Sequence, residues 1–260
     1  MALFTLACAF HETDRLLART LPLALRSLTQ PTRHEFEVVL VADRSSDAKV
    51  ADLLPRLAEY GVDEFRFRRT NKIAYPGLGS NNFHANNFSI TRPYLVTFTD
   101  DSFIWKTDET FDVLDAMVRI FERHPEVTLI NKVDDHEEWD SPLIDLGPAI
   151  EPGVRSVNRA IDQLIAYDTR RFEPVARQFG AWDAETFSGD MGFRYHWENL
   201  ASHVGRTAGR RIARPETWPL RVRHCDLRLD PGSIHGTQDE DVKLKCFDNL
   251  LHSQGTSKHS

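Results

Sequence analysis

Short apolar segments alternate with stretches of helical length through the first half of this chain, and that alternation constrains the fold most strongly. Runs rich in β-branched, aromatic or leucine residues, which favour strands, occur at positions 3–10, 36–42, 64–67 and 94–99. After the first run, leucines at positions 17, 21, 25 and 28 fall on one face of a helix. Alternating strands and helices predict βαβ units and a mostly parallel sheet flanked by helices.

The rest of the chain continues this pattern less regularly. The pattern predicts an amphipathic helix over 108–123, a strand over 127–133 and a long loop around the prolines and glycine at 142–153. Helical patterns follow over 157–179 and 191–204. We expect one domain over residues 1–252, with a nucleotide-binding half at 1–133, an acceptor-side half at 134–252 and a flexible tail at 253–260.

Acidic residues follow two of the predicted strands. Asp43 comes directly after the second apolar run, and Asp100 and Asp101 follow the run that ends at Thr99. Ligands bind outside the carboxyl ends of strands in an open α/β sheet, so the loops after Phe10, Ala42 and Phe98 are expected to converge on one crevice. Adjacent carboxylates repel each other, and a divalent cation or a sugar hydroxyl between them offsets that cost. An isolated Asp-Asp pair is more often a turn or a helix cap, but this position favours a ligand site.

Three segments in order resemble the family 2 glycosyltransferases of the GT-A fold. Residues 39–47, Val-Leu-Val-Ala-Asp-Arg-Ser-Ser-Asp, are similar to the strand that ends in Asp-Asp-Gly-Ser-x-Asp in that family. Residues 98–103, Phe-Thr-Asp-Asp-Ser-Phe, resemble the Thr-Asp-Asp motif of spore-coat polysaccharide glycosyltransferases. Residues 180–190 resemble the family's acceptor-side segment, in which an acid opens a helix. The resemblance implies a GT-A domain with a Rossmann-like sheet.

The same resemblance implies roles for residues that contact the donor. Phe10, His11 and Glu12 would line the pocket of the nucleotide base, and Asp43 would contact the base itself. Asn82 falls where the family has an Asn-containing helix before its metal-binding strand. These residues are predicted to bind the nucleotide part of the donor.

The resemblance also implies how the reacting end of the donor is held. Asp100 would bind the ribose, and Asp101 would bind a Mn or Mg ion that bridges the diphosphate. His224 sits where some GT-A enzymes supply a late metal or phosphate ligand. Asp190 would be the catalytic general base if the reaction inverts the anomeric centre.

The overall charge and the apolar segments exclude other classes of protein. Acidic residues outnumber basic ones, and the net charge of -7 disfavours a nucleic-acid partner. The apolar stretch at the amino terminus covers only about ten residues, whereas a membrane-spanning helix needs about twenty. We therefore expect a cytoplasmic protein without a membrane span, and we assign no function to its 3 cysteines.

The resulting prediction is a metal-dependent, hexosyltransferase-like glycosyltransferase that moves a sugar from a UDP- or dTDP-linked donor to a soluble small-molecule or saccharide acceptor. A non-catalytic nucleotide- or sugar-binding relative stays open, because Ala42 and Gly189 stand where the family has acids. A sugar nucleotidyltransferase is less favoured. Residues 7–14 contain neither the glycine nor the basic residues that a triphosphate-binding loop requires.

Overall fold

A computed structural model of the protein describes residues 3–10, 14–43, 47–68, 92–134, 145–161, 163–178, 197–225 and 240–256. The strands in this part of the chain are β1 (Leu3–Phe10), β2 (Glu35–Asp43), β3 (Glu64–Arg68), β4 (Tyr94–Thr99), β5 (Ser102–Lys106), β6 (Val127–Asn131), β7 (Leu146–Glu151), β8 (Val154–Val157), β9 (Leu164–Asp168), β10 (Arg211–Pro215) and β11 (Leu220–His224). The helices are α1 (Asp14–Thr29), α2 (Asp47–Leu53), α3 (Val113–Arg123), α4 (Thr169–Gln178), α5 (Trp197–Arg206) and α6 (Glu240–Thr256).

The described strands form one 9-stranded sheet and one 2-stranded sheet. The order in the large sheet is β3-β2-β1-β4-β9-β6-β10-β8-β7, and β11 pairs with β5 in the small one. Within the large sheet only β9 and β8 run opposite to the other strands. The prediction of a mixed, mostly parallel sheet is confirmed.

Helices cover both faces of the large sheet, because neighbouring residues of a strand point to opposite faces. Phe4, Leu6 and Phe10 of β1 belong to a core cluster shared with helices α1, α2 and α3. Ala7 of the same strand belongs to a second cluster, which it shares with helices α4 and α5. The result is a single three-layer domain of helix, sheet and helix.

Helix α1 has the apolar face that the leucine spacing predicts. Leu17, Leu21 and Leu28 are buried in the first core cluster, and Leu25 packs partly buried against it. Pro22 lies inside the helix on the exposed side. None of the described helices is both long enough and apolar enough to cross a membrane.

The structure corrects three predictions about secondary structure. Helix α3 begins at Val113 rather than at 108, because the Asp112 side chain accepts a hydrogen bond from the backbone N–H of Asp115 and caps the helix there. Residues 146–151 form strand β7 rather than a loop, and Gly153, at φ 76°, makes the turn into β8. Residues 164–168 form the fully buried strand β9 rather than helix, a distinction that periodicity alone does not make for short apolar runs.

Other predicted boundaries differ by a few residues or lie outside the described part of the chain. Strand β6 ends at Asn131, and helix α6 continues to Thr256, beyond the predicted start of the polar tail at 253. Helix α5 begins at Trp197, and residues 191–196 of the predicted helix lie outside the described residues. The same holds for the Asn-containing helix that the resemblance implies around Asn82.

Candidate active site

The carboxyl ends of three parallel strands lie side by side at one edge of the large sheet. Strand β1 stands between β2 and β4, and its last residue, Phe10, pairs with Ala42 of β2. Ala9 pairs with Thr99, the last residue of β4. The chain runs outward from β1 to β2 and β3 and then returns to β4 on the other side of β1. Asp100 and Asp101 therefore follow β4 at the point where the strand order reverses, which is where open α/β sheets bind ligands.

The backbone of the Asp100-Asp101 turn is fixed by three other parts of the chain. The N–H of Asp100 donates to the carbonyl of Ala9 at 2.8 Å, and the Asp100 carbonyl accepts from the Thr20 hydroxyl of α1 at 2.6 Å. The Asp101 carbonyl accepts from the N–H of Cys225 at 2.7 Å. Both aspartates are buried, with 7% of Asp100 and 9% of Asp101 exposed. The two acids consequently have defined positions and do not belong to a solvated loop.

The carboxylate of Asp101 accepts from three side chains on three different elements. The Thr99 hydroxyl donates to Oδ1 at 2.7 Å. The Nζ of Lys243 donates to Oδ2 at 2.6 Å, and Nε2 of His224 lies 3.1 Å from the same oxygen. Because a carboxylate only accepts hydrogen bonds, Nε2 of His224 must carry the proton in this contact. Asp101 is thus the centre of a polar network between strands β4 and β11 and helix α6.

Strand β11 brings His224 to Asp101 through the register of the small sheet. His224 pairs with Ser102, which follows Asp101 directly. The antiparallel pairing of β11 with β5 continues residue by residue to the pair of Leu220 with Lys106. Leu220 and Val222 are both fully buried, and alternate residues of this strand point to opposite faces. This alternation fixes strand β11 in the small sheet and explains why His224 reaches this site.

Helix α6 brings Lys243 to Asp101 from the far end of the sequence. Glu240, one turn before Lys243, accepts from the backbone N–H groups of Arg15 and Leu16 in the first turn of α1, at 2.8 and 3.0 Å. These N–H groups have no partner within their own helix, and a carboxylate at this end also complements the helix dipole. Phe247, one turn after Lys243, packs edge-on against Phe103 of β5 with ring centroids 5.1 Å apart. Lys243 therefore lies between two anchoring contacts on the same face of α6.

Burial and charge have opposite effects on Asp101. Removal from water on its own raises the pKa of the Asp101 carboxyl, but the charge of Lys243 and the contact with His224 outweigh it and hold the pKa well below its usual range. Asp101 is therefore ionised at neutral pH. Burial, together with the charges of the two aspartates, raises the pKa of the Cys8 thiol well above its usual value. The Cys8 thiol therefore keeps its proton at neutral pH.

The side chains around Asp101 do not fit a resident divalent cation while Lys243 holds Oδ2. The three donors use three of the four lone-pair sites of the carboxylate, and Nε2 of His224 is protonated and unable to act as a ligand. A cation on Asp101 would also lie near the Lys243 ammonium, where each unit of charge costs roughly 4 kcal/mol at about 4 Å. Among the described residues, no three or more His, Cys, Asp or Glu side chains form a group able to hold a metal ion.

The structure describes only some of the residues that the sequence assigns to the donor. Phe10 is 1% exposed and lies in the hydrophobic core, so it supports the sheet edge from beneath. Asp43 ends β2 next to Arg68 of β3, and its backbone alone is described. Four assigned residues lie outside the described part of the chain: His11, Glu12, Asn82 and Asp190. Their roles stay predictions.

Comparison with solved structures identifies the architecture. No protein-family model matches the chain, and no curated protein matches it. A mannosyltransferase of Pyrobaculum calidifontis in complex with GDP-Man and Mn²⁺ is 15% identical, has a TM-score of 0.56 and is matched over 87% of this chain and 57% of its own. TarS of S. aureus in complex with UDP-GlcNAc is 12% identical, with a TM-score of 0.55, over 96% of this chain and 72% of its own. The chain has the GT-A fold.

A third structural neighbour limits what the GT-A fold says about the reaction. A UDP-glucose pyrophosphorylase in complex with UDP-glucose is 12% identical, has a TM-score of 0.52 and is matched over 97% of this chain and 100% of its own. This chain spans little more than half of the mannosyltransferase and the whole of the pyrophosphorylase. The fold is therefore shared by a mannosyltransferase and a UDP-glucose pyrophosphorylase, so the fold alone does not identify the reaction.

Sequence reasoning did not identify Lys243 or helix α6. Lys243 lies 142 positions after Asp101, its contact in space. One signal was present in the sequence: the segment that begins at Glu240 opens with two acids and then places Lys243 and Phe247 at helical spacing. That spacing predicts a helix face, but it does not say which part of the fold the face meets.

Proposed function

We propose that the protein transfers a glycosyl group from a nucleotide-diphosphate sugar, with UDP or dTDP as its nucleotide part, to a soluble acceptor. The observation that carries this proposal is the pair of buried aspartates, Asp100 and Asp101, fixed beside β1 at the point where the strand order reverses. The GT-A fold supports it, because structural neighbours with this fold are complexes with GDP-Man, UDP-GlcNAc and UDP-glucose.

The proposed reaction breaks the bond between the anomeric carbon and the oxygen of the β-phosphate. The electron pair of that bond leaves with the nucleoside diphosphate, and the acceptor oxygen forms the new bond from the opposite face of the sugar, which inverts the anomeric centre. The acceptor proton passes to a carboxylate, for which Asp190 is the predicted residue. A positioned general base contributes about 10²- to 10⁴-fold in reactions of this kind.

Asp100 and Asp101 have different tasks in this proposal. Asp100 is the residue proposed to bind the ribose of the donor. Negative charge develops on the diphosphate as it leaves, and fixed positive charge at that point lowers the barrier. The sequence assigns this charge to a Mn or Mg ion on Asp101, and the mannosyltransferase neighbour is a complex with Mn²⁺. The ammonium of Lys243, 2.6 Å from Oδ2 of Asp101, is a second candidate for this positive charge.

Two other functions compatible with the fold make different predictions. A nucleotidyltransferase, which the full-length match to a pyrophosphorylase favours, would release pyrophosphate from UTP and a sugar 1-phosphate. A non-catalytic binding protein would bind UDP or dTDP but would not release it from a donor. Incubation with a panel of UDP- and dTDP-sugars, and separately with UTP and sugar 1-phosphates, separates the three functions by their products.

The first test is nucleotide binding to the full chain by calorimetry, with UDP and dTDP in EDTA and again in Mn²⁺. We expect binding of at least one nucleotide, and we expect Asp100→Ala to weaken it by tenfold or more because a charged partner of the ribose hydroxyls is lost. Asp52→Ala, an exposed acid on α2, is the matched control and retains binding. Absence of binding to both nucleotides under both conditions contradicts the proposal.

A further inference from the structure

The positive charge that contacts the carboxylate of Asp101 is the ammonium group of Lys243. We propose that Lys243 supplies the positive charge to the leaving diphosphate, in the place where the sequence predicts a Mn or Mg ion. This inference rests on the proposed glycosyl transfer. It adds that Lys243 faces the leaving group and that nucleotide binding does not require added metal. It starts from the ion pair of Lys243 Nζ with Asp101 Oδ2, at 2.6 Å.

The ion pair is deeply buried, unlike the salt bridges at the surface of this protein. Only 6% of the Lys243 side chain and 13% of the Asp101 side chain are exposed. A buried lysine is uncommon, because removal of an ammonium from water is costly unless it is paired. The pair is also not a local one, since its partners come from the end of β4 and from the final helix. A buried charge at the ligand-binding edge of the sheet indicates a role beyond the packing of α6.

Helix α6 holds Lys243 in this position firmly enough to keep it beside a ligand. Arg15 of α1 donates to Glu240 and Asp241 at 2.9 Å each. The aromatic ring of Phe247 adds the edge contact with Phe103, and the Arg19 guanidinium lies 4.6 Å from the centroid of the Phe247 ring. These contacts lie one turn before and one turn after Lys243. A metal ion on Asp101 would have to displace an ammonium that the whole helix positions.

An ammonium in this place has the chemistry that the reaction requires. Asp100 and Asp101 bring two carboxylates to the site, and a nucleoside diphosphate brings more negative charge. An ammonium group has three N–H bonds, so one group can donate to a carboxylate and also to a phosphate oxygen. Lysine and arginine side chains stabilise transferring phosphates in the same way as bound metals do. Lys243 keeps its proton throughout, and the acceptor proton goes to the general base.

The test compares nucleotide binding in EDTA and in Mn²⁺ for the wild-type full chain and for Lys243→Met, by calorimetry with UDP and dTDP. We expect the wild type to bind with the same affinity in both conditions, within about threefold. In EDTA, Lys243→Met is expected to bind about tenfold to a hundredfold more weakly, as for loss of a hydrogen bond between charged groups. In Mn²⁺ the same variant is expected to regain affinity, because the ammonium that repels a cation at Asp101 has been removed.

Two further variants separate this role from a purely structural one. Lys243→Arg keeps a positive charge and is expected to bind nucleotide without Mn²⁺. Lys245→Met removes an exposed lysine two residues further along α6 and is the matched control, with binding like the wild type in both conditions. Thermal unfolding of each variant identifies any that fails to fold. A shift from metal-independent to metal-dependent binding in Lys243→Met is not a consequence of lost stability.

The outcomes distinguish this inference from the function on which it rests. Nucleotide binding that disappears in EDTA and returns with Mn²⁺ in the wild type overturns the role of Lys243 and leaves the glycosyltransferase proposal in place. Equal affinity of the wild type and Lys243→Met in EDTA overturns the role of Lys243 as well. No binding of either nucleotide under any condition overturns the proposed function, and this inference with it.

Discussion

Removal of either partner of the Lys243–Asp101 ion pair is expected to destabilise the protein strongly, whereas removal of both is expected to cost much less than the sum. At 2.6 Å the two charges attract each other by roughly 6 kcal/mol at an effective dielectric constant of about 20, before the cost of removing both from water. Asp101→Asn leaves a buried ammonium without its carboxylate. The expected loss in the free energy of unfolding is about 3–5 kcal/mol, the range for a broken buried pair.

A double-mutant cycle with Asp101→Asn and Lys243→Met measures the coupling between the two side chains. We expect a coupling free energy of roughly 2–3 kcal/mol, measured from urea unfolding at pH 7 with similar m-values for all four proteins. The matched control is the pair of Arg19 in α1 and Asp248 in α6, whose side chains are 39% and 47% exposed. Its coupling is expected to be about 0–1 kcal/mol.

The double-mutant cycle can contradict the expected difference in coupling between the buried and the exposed pair. Equal coupling in the buried and the exposed pairs would mean that Lys243 and Asp101 contribute no more than a surface salt bridge. The reasoning from burial would then be refuted, and with it the argument that α6 holds a charged group against the ligand-binding edge of the sheet. A large coupling would leave the role in nucleotide binding to be decided by the calorimetry.

Three further predictions concern the frame around the site. Gly205→Ala is expected to lower the free energy of unfolding by about 1–2 kcal/mol, because the added Cβ would lie 2.4 Å from Cγ1 of Ile212. This clash outweighs the better helix propensity of alanine. Urea unfolding measures the change, and a stabilised variant would refute the prediction. Asn131→Ala is expected to lower the free energy of unfolding by about 2–4 kcal/mol in the same assay, because the buried Asn131 amide accepts from the N–H of Ile161 and donates to the carbonyls of Ile161 and Leu164. An unchanged stability would contradict this prediction. Burial raises the pKa of the Cys225 thiol, so its unreactive protonated form persists as the pH rises through the usual thiol range. A thiol reagent at pH 8 is therefore expected to label Cys225 only after denaturation. Mass spectrometry of the labelled protein measures this.

The first half of the fold was predictable because its signals are local. Strand β4 was predicted with its observed limits, Tyr94–Thr99, and the helical spacing of the leucines in α1 matches its buried face. The parallel arrangement of β1, β2 and β4 follows from the alternation of strands and helices, and it places Asp100 at the sheet edge where the sequence predicts a ligand. Residue order along the chain was sufficient for these conclusions.

The second half was less predictable because its strands are short and their partners are distant. Strand β9 is five buried residues, Leu164–Asp168, inserted between β4 and β6 in the direction opposite to both. A run of this kind looks the same in sequence as the beginning of a helix, and the helix α4 that follows it directly strengthens the wrong interpretation. This run is a strand only because it pairs with β4 and β6, and that pairing depends on the tertiary structure.

The same distinction explains why the sequence places Asp101 at the sheet edge but does not predict its contact with Lys243. An aspartate after a strand has a fixed position relative to its own sheet, so its place in the site follows from local sequence. Its partner is set by the helix that packs over that position, and a motif around Asp101 carries no information about residue 243. In this protein, the charge that contacts Asp101 is therefore set by the segment packed against the Asp-Asp turn as much as by the turn itself. For this protein that segment is α6, and the residue it contributes is Lys243.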